Sequence, residues 1–349
     1  MRILIVKISA LGDVVHALPV LAYIKSAYPE AKIDWLVEEG FAPLLEGHSL
    51  LRKVHRLGLK RWRREGLRAV LSGIKATLTD LRHERYDIVL DLQGNCKSGL
   101  FTWLCGAPRR YGFSRSGVRE WPNLLATNHK VPLTSADHHI SDRSLAVVRE
   151  AFPAGSVRPL AGPMDVSPKA RAAVDKQLTE LGLNGRSLVV FQYGTTWDTK
   201  LWPLDCWQEL AQQLCREDQL RPVLIWGNDA ELQAAESISR ATGGQAVVWP
   251  RGTLQELAAL LERADLVIGG DTGPIHIAAA LETPTVSIFR VTDASRNGPR
   301  GSLHIRLQSP MLCSPCLKKE CAQDTECGHS ISVVQVLNAV RKQLKGNRR

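Results

Sequence analysis

The stretch "GGDTGPIHIAAA", residues 269–280, follows the apolar run "DLVI". Its glycines permit a tight turn, and Pro274 suits the first turn of a helix. The amides of Thr272 and Gly273 would then face an anion at the positive end of that helix. Asp271 either caps the helix or accepts hydrogen bonds from sugar hydroxyls. A second stretch, "FQYGTTWDTKLWP", residues 191–203, brings the hydroxyls of Thr195 and Thr196 and the ammonium of Lys200 to the end of another strand-like run. That donor set fits a diphosphate; the bland alternative is a polar turn with an exposed lysine. In "WGNDAEL", residues 226–232, Glu231 lies just past a further strand. There a carboxylate pairs with ribose hydroxyls or merely complements a helix N-terminus. Each stretch alone is a weak signal. Together, three successive strand ends offer ligands for a nucleoside diphosphate.

Other residues raise different chemistry. In "SALGDVVHALP", residues 9–19, Asp13 sits where a helix should begin. A carboxylate there repels phosphate, so Asp13 is either a helix cap worth about 1 kcal/mol or a base for a different ligand. The stretch "RLGLKRWRREGLR", residues 56–68, sets Lys60, Arg61, Arg63, Arg64 and their neighbours against the single Glu65. It is a solvated helix face or an anion site. Near the end, Cys313, Cys316, Cys321 and Cys327 are spaced C-x2-C-x4-C-x5-C. Four thiolates could hold structural zinc tetrahedrally, although the spacing is tighter than the usual pair-loop-pair module. Reduced thiols packing a loop, a disulfide or an iron–sulfur ligand set are the alternatives.

These residues need elements to hold them. Short apolar runs at 2–7, 32–37 and 87–92 alternate with helical patterns at 12–27, 67–83 and 138–151. After "FPAGSVRPLAGPMDVSP", residues 152–168, which neither a helix nor a central strand can accommodate, the alternation restarts. Strand candidates are 187–192, 221–226, 265–269 and 284–289, with helices at 204–217, 229–241, 253–263, 274–281 and from 333 onward. Such alternation predicts α/β folding with parallel sheets. We expect two Rossmann-like doubly wound domains, 1–160 and 161–349, facing each other across a cleft, with ligands at the carboxyl ends of the strands. The 349 residues, 44% hydrophobic, suffice for two cores. The net charge of +10 favours an acidic partner. There is no G-x-x-x-x-G-K-[ST], no G-x-G-x-x-G and no Asp-x-Asp pair, which argues against a P-loop ATPase or a standard NAD enzyme. No secretory signal or membrane-length apolar run is apparent, so a cytoplasmic protein is expected.

The ordered set "LIVKISALGDVVHALP", "DWLVEEGF", "KRWRR", "DLQGNCKSG", "REWPNLLATNHK", "GTTWDTKLWP", "WGNDAE" and "DTGPIHIAAAL" resembles glycosyltransferase family 9, the ADP-heptose:lipopolysaccharide heptosyltransferases, and most nearly its type I branch. The resemblance covers most of the chain. It implies a GT-B architecture with the acceptor bound by the N-terminal domain and the donor by the C-terminal one. It also implies inverting, metal-independent transfer of L-glycero-D-manno-heptose from ADP-heptose to a Kdo residue of the lipopolysaccharide inner core, with no cofactor required. By motif position, it implies that Asp13 is the catalytic base. Thr195, Thr196 and Lys200 would bind the donor phosphates, Glu231 the ribose, and Asp271, Thr272, Gly273 and His276 the diphosphate and heptose. Lys60, Arg61, Arg63 and Arg119 would meet the anionic acceptor, a Kdo-lipid A at the cytoplasmic face of the inner membrane, where the enzyme would be peripheral. The cysteine-rich tail is similar to that of the type II branch. Alternatives are type II-like transfer to a heptose, another nucleotide sugar as donor, or a nucleotide- or nucleic-acid-binding module using the basic run. Against the last, that run lacks interleaved stacking aromatics apart from Trp62, so no nucleic-acid partner is expected.

Overall fold

The computed structural model describes residues 1–346 apart from Arg158 and Gln219. Residues 347–349, with which the second expected domain ends, lie outside the described residues. The chain divides into two compact units, Met1–Asp165 and Val166–Arg349. The dividing point falls after Asp165 rather than after residue 160 because the end of the Pro/Gly stretch is bonded to the first unit. His48 Nε2 lies 3.1 Å from the Pro163 carbonyl, and the Ser49 amide donates to Asp165 at 2.6 Å.

The first unit is built on a six-stranded sheet of order β3-β2-β1-β4-β5-β6. Its strands are β1 (Arg2–Val6), β2 (Lys32–Glu38), β3 (Lys53–Leu57), β4 (Ile88–Asp91), β5 (Arg109–Phe113) and β6 (His129–Val131). The second sheet has the order β12-β11-β10-β7-β8-β9. Its strands are β7 (Val189–Gln192), β8 (Val223–Leu224), β9 (Val247–Val248), β10 (Leu266–Gly270), β11 (Thr285–Phe289) and β12 (His304–Gln308). All pairings are parallel. Counted from its own first strand, each sheet has the doubly wound order 3-2-1-4-5-6. The winding direction therefore reverses between β1 and β4 in one unit and between β7 and β10 in the other. Loops leaving the carboxyl ends of such a pair diverge and leave a crevice, where α/β proteins hold ligands.

The central strands are continuous apolar runs because helices cover both faces of a parallel sheet. Ile3, Leu4, Ile5, Val6, Val189, Phe191 and Ile268 are all fully buried. The helix expected over 12–27 is two helices, Leu11–Ala17 and Pro19–Ala27. Pro19 has no N–H to continue the ladder, and it begins the second helix. The basic run forms the helix Leu59–Glu65, which buries only Leu59 and Trp62. Trp62 lies flat on the next helix, Leu67–Glu84, at Gly73, where a Cβ would come within 2.4 Å of the indole.

Candidate functional site

In the first unit the loop between β1 and the helix Leu11–Ala17 is stitched to the end of β4. The Gln93 side-chain oxygen accepts the amides of Ile8 and Ser9, each at 3.1 Å. The buried Lys7 ammonium donates to the Leu92 carbonyl at 2.9 Å. Burial pushes the Lys7 pKa down, opposed by the charges of Asp13 and Asp91, while Arg119 and Arg143 add to the depression. Five charged groups thus gather at the β1/β4 switch point.

Asp13 is half-buried, the third residue of its helix. Its Oδ2 accepts the Ala10 amide at 3.2 Å. The N-cap is thus Ala10 rather than Asp13, which from the third helical position reaches back to the cap's amide with one oxygen. Oδ1 accepts no hydrogen bond among the described residues, so it remains able to take one from a ligand.

Asp91, fully buried at the end of β4, organises the turn opposite. It accepts from the amides of Gln93 and Gly94 at 3.0 and 2.9 Å, the Ser98 hydroxyl at 2.9 Å and the Asn123 amide at 2.6 Å. Burial raises the Asp91 pKa against the pull of those bonds. Arg119 is exposed, and its backbone amide is held by the Gly94 carbonyl at 3.0 Å. Lys60 and Lys97 both face the buried Glu38 at the end of β2, and the Lys60 ammonium lies 5.5 Å from the centroid of the Phe41 ring. Arg61 is not an open cation: it binds Glu39 at 3.1 Å and Glu65 at 3.3 Å. Both pairs are solvent-exposed, so screening lets an incoming anion replace them. Arg63 is exposed on the same helix.

In the second unit, three loops at the strand ends lock together. Lys200 Nζ donates to Asp271 Oδ2 at 2.9 Å, joining the loop after β7 to the loop after β10. His276 Nε2 lies 3.1 Å from the other oxygen of Asp271. Burial would raise the Asp271 carboxyl, but the His276 hydrogen bond and the charges of His276 and Lys200 outweigh it and hold it well below the usual carboxylate range. Asp271 therefore does not cap the following helix; it orients Lys200 and His276. The N-cap of the helix Gly273–Ala280 is Thr272, which makes no side-chain cap bond. The amides at that helix end keep the polarity an anion seeks.

Glu231 joins the third loop to the first. Its carboxylate accepts the Gly227 amide at 2.6 Å and lies against Gly194, where a Cβ would meet the carboxyl carbon at 2.3 Å. Only a glycine lets the two loops approach so closely. Thr195 is half-buried and Thr196 exposed immediately beyond it.

Several contributors were not singled out from the sequence. Trp197 has the ammoniums of both Lys200 and Lys319 at 5.0 Å from its ring centroid, and the Thr199 hydroxyl donates to the Lys318 carbonyl at 2.8 Å. The cysteine-rich loop thus rests on the loop after β7. The interruption of the Thr–Lys motif by an aromatic was the available signal.

The four cysteines expected as a zinc ligand set are not gathered into one cluster in this structure. Cys313 is exposed, Cys316 and Cys321 are half-buried, and Cys327 is buried. Among the described residues, the one group of three or more metal-capable side chains with ligand atoms within 4.8 Å of one another is Asp205, Cys206 and His329, which contains none of the four. Hydrogen bonds hold the loop instead. The Cys316 and Leu317 amides share the Val291 carbonyl at 3.1 and 2.9 Å. Buried Arg290 clamps Asp324 at 2.7 Å and the Leu201 carbonyl.

Two doubly wound sheets, one with a half-buried carboxylate near cations and the other with Lys200 bonded to Asp271 ahead of a helix start, fit the nucleotide-sugar glycosyltransferase class. The family model described as glycosyltransferase family 9 (heptosyltransferase) matches residues 74–326, and the chain belongs to that family. It is 34% identical over 328 residues to lipopolysaccharide heptosyltransferase 1 of Pseudomonas aeruginosa, covering 93% of this chain and 89% of that one. It is 31% identical to the Escherichia coli K12 protein of the same name, covering 89% of this chain and 94% of that one. The solved structure of E. coli heptosyltransferase WaaC with ADP-2-deoxy-2-fluoro heptose superposes with a TM-score of 0.78 at 28% identity, covering 98% of this chain and 99% of that one.

Proposed function

We propose that this glycosyltransferase moves L-glycero-D-manno-heptose from ADP-heptose to a Kdo residue of an anionic, lipid-linked lipopolysaccharide acceptor, with inversion. The observation that carries the reading is the joining of neighbouring strand-end loops in the second unit, Lys200 to Asp271 ahead of the Gly273–Ala280 helix and Glu231 to Gly194 beside the Thr195–Thr196 pair. It offers an ammonium, hydroxyls and amides to a diphosphate and a carboxylate to a ribose. The similarity to proteins named lipopolysaccharide heptosyltransferase 1 supports the choice of sugar and acceptor.

In this reading, an acceptor hydroxyl oxygen forms the new bond to the anomeric carbon of the heptose. The bond from that carbon to the diphosphate oxygen breaks on the opposite face. The hydroxyl proton passes to Asp13, late in the step, because a carboxylate is a weak base toward an alcohol until the oxygen is bonding. ADP departs with its growing charge met by Lys200, the threonines and the helix amides. That donor set answers the diphosphate's charge without a metal ion. Lys60, Arg63 and Arg119, and Arg61 once released from its glutamates, serve the acceptor's carboxylate and phosphates.

The test is a thermal shift series with ADP and UDP, followed by mass spectrometry of a deacylated Kdo-lipid A incubated with ADP-heptose. Stabilisation by ADP over UDP and gain of one heptose support the proposal. Heptose added only to an already heptosylated core would move the acceptor assignment to the type II reaction.

A further inference from the structure

Large apolar side chains are left in solvent at several places on the molecule, Leu67, Leu71 and Leu312 among them. Trp103 and Trp121, 60% and 71% exposed, are its only tryptophans so exposed among the described residues, and Leu125 is 79% exposed. They lie on two adjoining elements of the first unit. The helix Cys96–Leu104 presents Cys96, Leu100 and Trp103 to solvent at intervals of four and three residues, one stripe of a helix. The short 3-10 helix Trp121–Leu125 leaves its two end residues, Trp121 and Leu125, in solvent.

The two elements are fastened together along their length. Glu120 accepts the Cys96 amide at 2.7 Å, and the Asn123 side chain donates to the Asn95 carbonyl at 2.9 Å. A Cβ on Gly99 would come within 3.0 Å of Asn123. The tryptophans and leucines therefore lie on adjoining elements in one region of the surface, outside the first unit's buried core. Lys97 and Arg119, both of which act on Glu120, are exposed beside these side chains, and Arg115 is exposed four residues before Arg119; the Glu120 carboxylate accepts the Cys96 amide. The patch starts at the β4 end beside Arg119, which also acts on Lys7 in the Asp13 cluster.

We propose that this face docks the protein on an anionic lipid surface, with Trp103, Trp121, Leu100 and Leu125 entering the headgroup boundary and Lys97, Arg115 and Arg119 meeting lipid phosphates. Tryptophan belongs at that boundary, with an apolar body and a polar edge, and clustered cations beside it select anionic lipid. The orientation toward Asp13 rests on the proposed acceptor; the docking itself does not. A lipid-linked acceptor would then present its sugar at the mouth where the patch begins.

The experiment compares the full-length protein with a Trp103→Ser/Trp121→Ser variant. Both are sedimented with phosphatidylcholine vesicles with and without phosphatidylglycerol, and their thermal midpoints and solution masses are recorded. We expect the unaltered protein to bind only phosphatidylglycerol-containing vesicles and the variant to bind at least tenfold more weakly with an unchanged midpoint. Transfer to a soluble deacylated acceptor should stay within twofold, while transfer to vesicle-embedded acceptor falls about tenfold. A Lys97→Gln variant should also weaken vesicle binding. Equal sedimentation of the two proteins overturns the proposal, as does a dimer that the tryptophan substitutions convert to monomer. Loss of transfer with normal vesicle binding would count against the acceptor reading alone.

Discussion

Asp13 uses its two oxygens differently. One completes the start of its helix by accepting the Ala10 amide, and the other makes no hydrogen bond among the described residues. Asparagine can keep the first role with its side-chain oxygen but cannot take a proton. Asp13→Asn should therefore fold normally and bind ADP normally while kcat falls about 10²–10⁴-fold, as read by steady-state kinetics beside a thermal melt. The contacts of Asp271 with Lys200 and His276 were not legible in the sequence. A Gly-Gly-Asp-Thr-Gly string reads as a cap, and only the fold brings Lys200 from a loop 71 positions away to its carboxylate. Because Asp271 orients Lys200, Asp271→Asn should raise the ADP dissociation constant, and Lys200→Met should raise it about 10–100-fold, the value of a charge-assisted bond. Isothermal titration checks both. Unchanged affinity in Lys200→Met would remove it from the donor site.

At the scale of elements, the central strands were legible because they are unbroken apolar runs. β3, β5, β6, β9 and β12 were not. Four of these are sheet edges. "KVHRL" in β3 and "HIRLQ" in β12 mix charged and apolar residues, and the paired segments of β9 and β6 are only two and three residues long. Edge strands have one face or rim in water, so their composition resembles that of loops. The convergence of loops was also hidden, because it depends on Gly194 letting Glu231 in. The predicted consequence is specific. Gly194→Ala displaces the flexible end of Glu231 without disturbing the strand, so it should weaken ADP binding about tenfold. Combined with Glu231→Ala, the two losses should not add. A double-mutant cycle by titration calorimetry with ADP reads this directly, and full additivity would separate the two residues.

For the whole molecule, the doubled α/β architecture followed from alternation alone. The boundary slipped past residue 160 because Asp165 and Pro163 bond to the first unit, contacts no composition shift announces. The basic balance concealed a network at the amino ends of β1–β3. There Asp34, fully buried, is held by Arg52 and by the Tyr86 hydroxyl at 2.6 Å, and Arg52 also binds Glu84. Asp80 pairs with Lys53 at 2.8 Å and His55 at 2.6 Å. Burial would raise Asp34, Asp80 and Glu84, but their hydrogen bonds to these partners prevail and hold each below its ordinary value. Carboxylates depressed in the folded state contribute stability that is complete above their unfolded values, near pH 4. It is lost as pH falls through the lower folded values. The thermal midpoint of the first unit should thus drop steeply below about pH 4. Asp34→Asn should lower the midpoint at pH 7 and flatten the acid limb, as melts between pH 3 and 7 would show. An unaltered acid limb would mean that the network carries no linkage.

The most direct test of the account is single-turnover transfer from ADP-heptose to a deacylated Kdo-lipid A acceptor, followed by mass spectrometry, with the unaltered protein and Asp13→Asn at saturating donor. The account predicts a gain of one heptose by the first and a rate at least a hundredfold lower for the second, with ADP affinity retained. Equal rates from both folded proteins would contradict it.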